Sequence, residues 1–336
     1  MLLPNYRILP VLYALALPVA AAGLSDPFDT TGMAPLKPSP QLAARVGDAP
    51  CTNTLPATGL TAIDAVDLAL CNNPQTREVW AAARVQAAMV GVAQSAWLPD
   101  LDAKLTSGRN FTEARNFNQS SAALTLSWLV FDFGQRSANI ENARQLLSAA
   151  AATQNATVQN LFLAALQSYY TAQAARAAVV STTEAERAAR ESFAAAESRY
   201  SVGAGTPADR LQAQTALSQA TLNRIRSEGD ARNALGVLAN AMGFDAQQSI
   251  VLGEIPRATP ELAFQNDVDA LIQEARNRRP DLKSAEAQVK AAEASVEVAR
   301  AQGLPSVSLS TGPLWQDIGG VSANTGNIGM TLSVPI

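Results

Sequence analysis

The chain has 336 residues, a net charge of −4 and no histidine. The lack of histidine excludes Ser-His-Asp and Cys-His catalysis and every histidine-ligated metal site. A mildly acidic chain without a basic run also argues against binding to nucleic acid. Hydrophobic residues make up 48% of the chain and aromatic residues only 5%, a composition typical of long alanine-rich helices.

Residues 1–22 have the features of a secretory signal peptide. Arg7 precedes an apolar run from Ile8 to Ala16, and Ala20 to Ala22 supply the small residues of a cleavage site. The alternative is a membrane anchor, but the apolar run is too short to cross a bilayer. We therefore expect an exported chain that begins at Gly23.

A leader and one pair of cysteines come next. Residues 23–58 are rich in Pro, Ser, Thr and Gly and lack periodicity, so this segment either packs on other elements or is disordered. Cys51 and Cys71 are the only cysteines. In an exported chain they predict a disulfide, which would stabilise the fold by about 3 kcal/mol, although two buried thiols are the alternative. No further ligand types gather near them, so we expect no metal and no cofactor.

The folded part is predicted to be an internal repeat. A shift of 206 residues places Pro74 on Pro280, Leu98-Pro99 on Leu304-Pro305, and Thr125-Leu126-Ser127 on Thr331-Leu332-Ser333. The predicted first unit covers residues 59–265. The second unit, residues 266–336, contains the counterparts of the first helix and the strand pair but not of the long helices that follow them.

Each unit begins with a helix and continues with two strands. In the first unit the helix spans 64–96, with a break at Asn73-Pro74, and the strand pair lies within 100–131 around a polar loop at 109–121. Apolar residues alternate with polar ones on the strands, and the polar set is Asp102, Lys104, Thr106, Thr125 and Ser127. Strands of about 8–11 residues with this pattern are typical of an outer-membrane barrel. A soluble sandwich shows the same alternation, but the signal peptide and the flanking helices favour the barrel.

A long helical hairpin is predicted at 135–243. Residues 136–199 contain no Pro or Gly and predict one helix of roughly 96 Å. Glu186 and Arg190 are expected to pair on its solvent-exposed face. Thr206-Pro207 begins the return helix, and Gly243 ends it. An apolar stripe on the long helix is expected to pack against neighbouring helices, and its members are Val158, Phe162, Ala165, Tyr169 and Ala172.

This order of elements resembles the TolC family of outer-membrane efflux and secretion ducts. The most specific match is the hairpin tip, which is similar to the family pattern R-[FY]-x-x-G followed by Asp and Ala; the matching residues are Arg199, Tyr200, Gly203, Asp209 and Ala213. Leu98-Pro99 and its copy Leu304-Pro305 look like the family's helix-to-strand switch. Phe131 to Gly134 look like the strand exit into the long helix.

The resemblance implies a mainly helical fold with a membrane β-barrel contribution, in which three chains give four transmembrane strands each. The helices then form a coiled-coil tunnel across the periplasm. A duct of this kind would export drugs or proteins passively, in a tripartite efflux or type I secretion system. Its partners would be outer-membrane lipid, a periplasmic adaptor and an inner-membrane pump.

The resemblance also assigns two sets of residues. The tip would contact the adaptor through Arg199, Tyr200, Val202, Gly203, Gly205, Thr206 and Asp209, although turn and capping chemistry alone also explains these residues. The polar strand residues Asp102, Lys104, Thr106, Thr125 and Ser127 would line the pore, or would form an ordinary wetted face. No gate residues are transferred, because in the family most of them lie on the second hairpin. We expect a trimer without that hairpin to form half a tunnel wall.

Two other classes of function remain open. A periplasmic adaptor or coiled-coil scaffold would also carry a helical hairpin, but adaptors flank it with glycine- and valine-rich lipoyl-like strands. An enzyme is the least favoured class, since Asp100 and Asp102 lie on one strand without a matching acid or base.

Overall fold

The computed structural model describes residues 26–34, 54–56, 59–111, 116–254 and 268–335. The predicted signal peptide and Cys51 lie outside these residues, so the signal peptide and the disulfide with Cys71 stay predictions. The elements are α1 (Ala62–Asn72), α2 (Pro74–Ser95), β1 (Asp100–Phe111), β2 (Asn116–Phe131), α3 (Gln135–Ser201), α4 (Pro207–Ala241), α5 (Val268–Arg278), α6 (Pro280–Gln302), β3 (Ser306–Ile318) and β4 (Val321–Ser333). The predicted combination of a long helical hairpin with four strands is confirmed.

Local capping chemistry sets the break between α1 and α2. Thr61 begins α1 with a capping box, in which its hydroxyl accepts from Asp64 N (3.2 Å) and its backbone N donates to Asp64 Oδ2 (3.0 Å). Asn73 ends α1 and caps α2, because its Oδ1 accepts from Gln75 N at 2.9 Å. Pro74 then occupies the first turn of α2, where a missing N–H costs nothing.

The hairpin of α3 and α4 is the largest feature of the molecule. Helix α3 has 67 residues, about 100 Å at 1.5 Å per residue, and α4 has 35 residues. Both match the predicted long helix and its return. The core lies where α1 and the end of α4 pack against the middle of α3, and its members are Leu60, Ala65, Val66, Leu68, Ala69, Leu70, Leu161, Ala165, Tyr169, Ala172, Leu238, Met242 and Leu252.

The predicted apolar stripe on α3 is wrong at one position. Tyr169 and its stripe neighbours at 165 and 172 are buried, whereas Phe162 is 41% exposed and Leu161 takes its place in the core. The reason is geometric, since an α-helix has 3.6 residues per turn and the residues on its buried side are therefore three or four positions apart. On α3 the spacing from Val158 to the next buried residue, Leu161, is three, and the spacing from Leu161 to Ala165 is four.

The four strands form one antiparallel sheet in the order β1-β2-β3-β4. They contain 12, 16, 13 and 13 residues, so the predicted lengths of 8–11 residues are too short. The predicted polar loop at 109–121 is also wrong, because most of it pairs as strand. Polar side chains stabilise this part of the ladder: Ser107 and Ser120 hydroxyls lie 3.2 Å apart, and Asn110 Nδ2 donates to Gln119 Oε1 at 2.9 Å.

The element bounds recur at the offset found in the sequence. Helices α2 and α6 begin 206 residues apart, and so do strands β1 and β3. This agreement supports the interpretation of an internal duplication. The division into units at 59–265 and 266–336 stays a prediction.

Part of the leader forms a compact turn. The Asp26 carboxylate accepts hydrogen bonds from Thr31 N (3.0 Å) and Thr30 Oγ1 (2.8 Å). These hydrogen bonds lower the pKa of Asp26, and the bond from Thr31 N is the largest cause. The turn lies against α2 at Gly91, where a Cβ would come within 2.5 Å of Thr30 Cγ2. Residues 26–34 thus pack on a helix, one of the two alternatives for the leader.

Candidate functional site

The sheet brings the five predicted pore-lining residues onto one face. In an antiparallel pair, residues directly opposite each other point to the same side. Asp102 lies opposite Thr125, and Ser127 lies opposite Asp100. Lys104 and Thr106 follow Asp102 at the same parity. That these residues line a pore stays a prediction, but their shared face is a property of the register.

Strands β3 and β4 extend this polar face. Ser310 pairs with Ser127 across the β2–β3 seam, and Ser308 pairs with Thr331 across the β3–β4 seam. The predicted site did not include these three residues of the second unit. Their alternation in the sequence was the signal that could have added them.

The opposite face of the sheet is apolar and exposed. Leu101 pairs with Leu126, and Leu309 pairs with both Trp128 and Met330. Large side chains on this face reach high exposure, up to 80% for Ile328 on β4. Further exposed members of this face include Leu101, Leu105, Leu126, Trp128, Met330 and Leu332. Soluble domains rarely expose an apolar patch that extends over four strands, whereas lipid-facing strands do.

A glycine permits the close approach of β3 to β2. A Cβ on Gly312 would lie 1.9 Å from the backbone oxygen of Leu124 and 3.1 Å from Thr125 Cα. The next residue, Pro313, has no N–H to donate to the ladder. Gly312 therefore allows β2 and β3 to approach closely at the middle of the sheet.

A buried ion pair marks the transition from sheet to helix. Arg136 Nε donates to Asp132 Oδ2 at 2.9 Å, and the two residues are 4% and 5% exposed. Arg136 also donates to the backbone oxygens of Leu129 (2.6 Å) and Val130 (3.2 Å) at the end of β2. Its guanidinium lies 4.1 Å from the centre of the Trp97 ring. The predicted strand exit at residues 131–134 is thus confirmed as a turn, and the sequence did not predict the pair that holds it.

Aromatic side chains surround this transition. Trp128 Nε1 donates to the backbone oxygen of Trp97 at 3.0 Å, and Phe131 and Phe133 pack edge to face at 4.7 Å. All four rings are about half exposed. Girdles of aromatic residues are typical of the boundary between the apolar band of a membrane barrel and water.

At the hairpin tip, the predicted residues form a tight turn with a capped helix. Gly203 has φ +76°, a value that favours glycine, and a Cβ on Gly205 would lie 3.1 Å from Tyr200 N. Thr206 caps α4 through a capping box with Asp209, whose N donates to Thr206 Oγ1 at 3.2 Å. Hydrogen bonds from Thr206 lower the pKa of Asp209, with a smaller contribution from the charge of Arg199.

One set of contacts between the two helices at the tip was not predicted from the sequence. Arg210 reaches from α4 to Glu197 on α3, with Nη1 and Oε2 3.4 Å apart, and its guanidinium lies 5.1 Å from the Tyr200 ring centre. No spacing along the sequence links Glu197 to Arg210, because this pair crosses between two helices. The exposed members of the tip include Val202, which is 77% exposed.

A second link between α3 and α4 corrects the prediction for Glu186. Glu186 is 6% exposed and does not lie on a solvent face as predicted. Its carboxylate accepts from Arg190 Nη2 (2.7 Å), from Thr221 Oγ1 (3.1 Å) and from Arg224 Nε. Arg224 in turn donates to Glu228. Hydrogen bonding from Arg224 is the largest cause of a lowered pKa at Glu186. The pairing of Glu186 with Arg190 within α3 was predicted correctly, but α4 packs against the Glu186 carboxylate and buries it.

The described ranges lack two kinds of feature. Within 26–34, 54–56, 59–111, 116–254 and 268–335, acidic residues and Cys71 do not gather in threes in any arrangement suited to a metal ion. None of the helices in the same ranges combines the length and the apolar character needed to span a membrane.

The two-faced sheet, continuous with a helical hairpin of about 100 Å, defines the class of an outer-membrane channel subunit with a helical extension. A family model described as outer membrane efflux protein matches residues 65–244 and 271–336. The chain belongs to the outer membrane efflux protein family, which places it in the outer membrane with its helices in the periplasm. The two matched stretches begin 206 residues apart, like the helices and strands themselves.

Similar proteins from bacteria agree with this assignment. Protein CyaE of Bordetella pertussis is 33% identical over 259 residues, which cover 75% of this chain and 54% of CyaE. The pyoverdine export outer membrane protein OpmQ of Pseudomonas aeruginosa is 28% identical over 262 residues, which cover 72% of this chain and 53% of OpmQ. The chain therefore spans about half the length of the curated relatives it matches.

Solved structures show the same fold. The CmeC outer membrane channel of Campylobacter jejuni superposes with a TM-score of 0.72 at 20% identity, over 87% of this chain and 67% of CmeC. The open MtrE outer membrane channel of Neisseria gonorrhoeae gives a TM-score of 0.64 at 20% identity, over 82% of this chain and 63% of MtrE. The adaptor alternative finds no support among these matches. The family is one of channels and not of enzymes.

Proposed function

We propose that the chain is the subunit of a passive export channel in which three copies close one barrel of twelve strands. The two-faced sheet is the observation that carries this proposal. In the described part of the chain, β1 and β4 each have a single neighbour. Lipid offers no partner for an unpaired strand edge, so these two edges require strands from other copies.

The activity is transport and not catalysis. Drugs or proteins would pass through the pore while an inner-membrane pump supplies the energy, so no bond is made and no cofactor is required. The chain itself is then not an enzyme. The relative OpmQ is named as a pyoverdine export protein. The same class of activity, export across the outer membrane, is proposed for this chain without a particular cargo.

The polar face of the sheet would line the pore and set its ion selectivity. Lys104 carries a positive charge on this face, and Arg109, on the same strand at the other parity, points to the opposite face. Lys104→Glu should therefore shift the channel towards cation selectivity, whereas Arg109→Glu should leave selectivity unchanged. Reversal potentials in planar bilayers under a salt gradient measure this difference. Equal shifts in both variants would contradict the assignment of the pore face.

The hairpin tip would bind the periplasmic adaptor. Val202 is exposed at the turn, and the rigid glycine turn with its capped helix presents it without a further conformational change. A photoreactive amino acid at position 202 should crosslink to an adaptor in the periplasm of the native host. The same residue at Val237, exposed on α4 far from the tip, is the control. Equal adaptor crosslinking at 202 and 237 would contradict this role of the tip.

A further inference from the structure

The membrane side of the sheet carries a single cation, Arg109, near its outer end. We propose that Arg109 binds the phosphate of a phosphorylated glycolipid of the outer leaflet, such as lipid A, whose acyl chains pack on the apolar face of the sheet. This inference rests on the proposed function, which places the sheet in an assembled barrel. It goes further, because it assigns a lipid-binding site to a part of the sheet that has no role in the pore.

The strand register places Arg109 on the apolar face. Side chains two residues apart on a strand point to the same side, so Arg109 shares its side of β1 with Leu105 and Leu101. Arg109 lies opposite Asn118 on β2, as Leu101 lies opposite Leu126. Among the described residues of the four strands, Arg109 is the only Lys or Arg on this face. Its side chain is exposed, so its guanidinium faces lipid or the lipid headgroups.

The position of Arg109 along the strand is that of the outer membrane surface. Asn118, opposite Arg109, is ten residues (128 − 118) from Trp128 on β2, and Trp128 contacts Trp97 at the end of the sheet near the helices. Ten residues of an antiparallel strand span about 34 Å, and a tilt of 35–45° converts this length to a height of about 24–28 Å. The apolar band of an outer-membrane barrel is about 25 Å tall. Arg109 therefore lies at the outer edge of this band.

The side chains around Arg109 change character at the same level. On this face, apolar residues give way to Ser107 and Ser120, whose hydroxyls lie 3.2 Å apart. Arg109 and Asn118 come next, and Phe111, which is 75% exposed, lies beyond them. An exposed aromatic ring among polar groups is typical of the girdle that borders the apolar band. The order of the side chains thus agrees with the height that the strand length gives.

Two donor groups meet at this level of the sheet. Arg109 and Asn118 are directly opposite each other, so their Cβ atoms are about 4.5–5.5 Å apart. The guanidinium offers two parallel N–H groups to a phosphate, and the Asn118 amide offers a further donor. The centre of the Phe111 ring lies 5.7 Å from Arg109 Cζ, so the ring restricts the orientation of the guanidinium. This set of donors suits a phosphate at the membrane surface.

The one acid on this face of the described strands is engaged elsewhere. Asp317 lies opposite Ser120, and its Oδ1 accepts a hydrogen bond from Gly320 N at 3.2 Å in the turn between β3 and β4. Strand β2 separates β1 from β3, so Asp317 is roughly 10 Å from Arg109 across the sheet. A cation at the surface of an anionic lipid layer is attracted to that layer. The lipid phosphate is therefore the anion that we assign to Arg109.

The apolar face provides the second part of the site. Leu105 and Leu101 follow Arg109 on the same side of β1 towards the periplasm, and both are exposed. Acyl chains attached to a phosphate at Arg109 would extend along these leucines and bury apolar surface. A free phosphate ion makes no such contacts, which is the reason for assigning the site to a lipid.

Binding of lipid A to the purified protein tests the assignment. The full chain is recovered as an oligomer from outer membranes and washed in detergent, and native mass spectrometry with added lipid A measures the Kd. Arg109→Gln should weaken binding at least tenfold, because a charge-assisted bidentate contact is lost. Lys104→Gln is the matched control, since it removes the same charge from the polar face of the same strand, and it should leave the Kd unchanged.

Two further measurements define the chemistry of the contact. Lipid A without its phosphates should bind the unaltered chain as weakly as intact lipid A binds Arg109→Gln. Arg109→Lys keeps the charge but loses the two parallel N–H groups, so it should bind intact lipid A at least threefold more weakly than the unaltered chain. This variant also provides a second test should Arg109→Gln assemble poorly on unboiled gels.

The outcomes separate this inference from the proposed function. Equal lipid A binding by the unaltered oligomer and both Arg109 variants would overturn the site while the channel assembly stands. An equal loss in Lys104→Gln would overturn it as well, because the response would then follow net charge. Displacement of lipid A by an equal concentration of inorganic phosphate would show a site for a free anion and not for a lipid. If the unaltered chain forms no oligomer, the proposed function fails and the site fails with it.

Discussion

Asp132 and Arg136 form an ion pair, 2.9 Å from Oδ2 to Nε, at the point where the last strand of the first unit becomes the longest helix. Arg136 also binds two backbone carbonyls of the strand, because its guanidinium donates to the oxygens of Leu129 and Val130. The Asp132 carboxylate in turn accepts from Arg136 N at 2.8 Å in the first turn of α3. The pair therefore holds the direction of the helix relative to the sheet.

Removal of one partner of this pair should be costly. Asp132→Asn leaves the Arg136 charge buried without compensation, which we expect to lower the free energy of unfolding by about 3–5 kcal/mol. Denaturant titration followed by circular dichroism in detergent measures this loss. Glu184→Gln is the matched control, since its ion pair with Arg187 is more than half exposed and should contribute little to stability. Similar losses in the two variants would contradict a special role for the buried pair.

Gly312 should tolerate no side chain. Gly312→Ala would place a methyl group 1.9 Å from the Leu124 oxygen, so the β2–β3 seam must move apart. We expect a loss of about 1–3 kcal/mol and a lower yield of oligomer in the outer membrane. Gly326→Ala on β4, where no atom lies within 4 Å of the added Cβ, serves as the control and should assemble normally. Normal assembly of both variants would show that the close approach is unimportant.

The Glu186 network should make the hairpin sensitive to acid. Because Arg224, Thr221 and Arg190 lower the pKa of Glu186 in the folded state, the ionised network stabilises the hairpin above the ordinary glutamate pKa of about 4.5. That contribution is lost as the pH falls below 4.5 towards the lower folded pKa. Glu186→Gln should therefore lower the melting temperature at pH 7 and flatten its decline in acid.

Melting curves of both proteins between pH 3 and pH 7 check this prediction. The exposed Glu184→Gln variant controls for the loss of one negative charge on α3. Parallel curves for Glu186→Gln and the unaltered chain would show that the buried carboxylate has no part in the acid response.

The cap of α4 should stabilise the tip locally. Thr206→Ala removes the hydroxyl that accepts from Asp209 N and should cost about 1 kcal/mol. Amide hydrogen exchange should then become faster in the first turn of α4 and stay unchanged near the core residue Tyr169. Thr206→Ser keeps the hydroxyl and should restore protection. Unchanged exchange in Thr206→Ala would contradict the capping role.

Sequence reasoning predicted the features that depend on local chemistry. Thr206-Pro207 predicted the start of α4, and Asn73-Pro74 predicted the break between α1 and α2, because caps and prolines act within a few residues. The alternation on the strands predicted the two faces of the sheet, since side chains on a strand point to opposite sides in turn.

Contacts between elements that lie far apart in the chain could not be predicted from the sequence. The sequence alone indicates that Glu186 is a surface residue paired within its own helix. In the structure, Arg224 of the other helix, 38 residues later in the chain, contacts its carboxylate. Leu161 and Phe162 are neighbours of similar size, and only the packing of α1 decides which one is buried. The strands continue past the predicted polar loop because Ser107 and Asn110 find partners on the next strand, which periodicity alone does not reveal.

The central claim is that four strands from each of several copies close one barrel. Heat-modifiable gel mobility of the full chain, recovered from outer membranes of a Gram-negative host after export with its own N-terminus, tests this claim most directly. The account predicts a band at the mass of a trimer without boiling, which collapses to the monomer on heating, and covalent trimers after chemical crosslinking. A monomer in the soluble periplasmic fraction would contradict it.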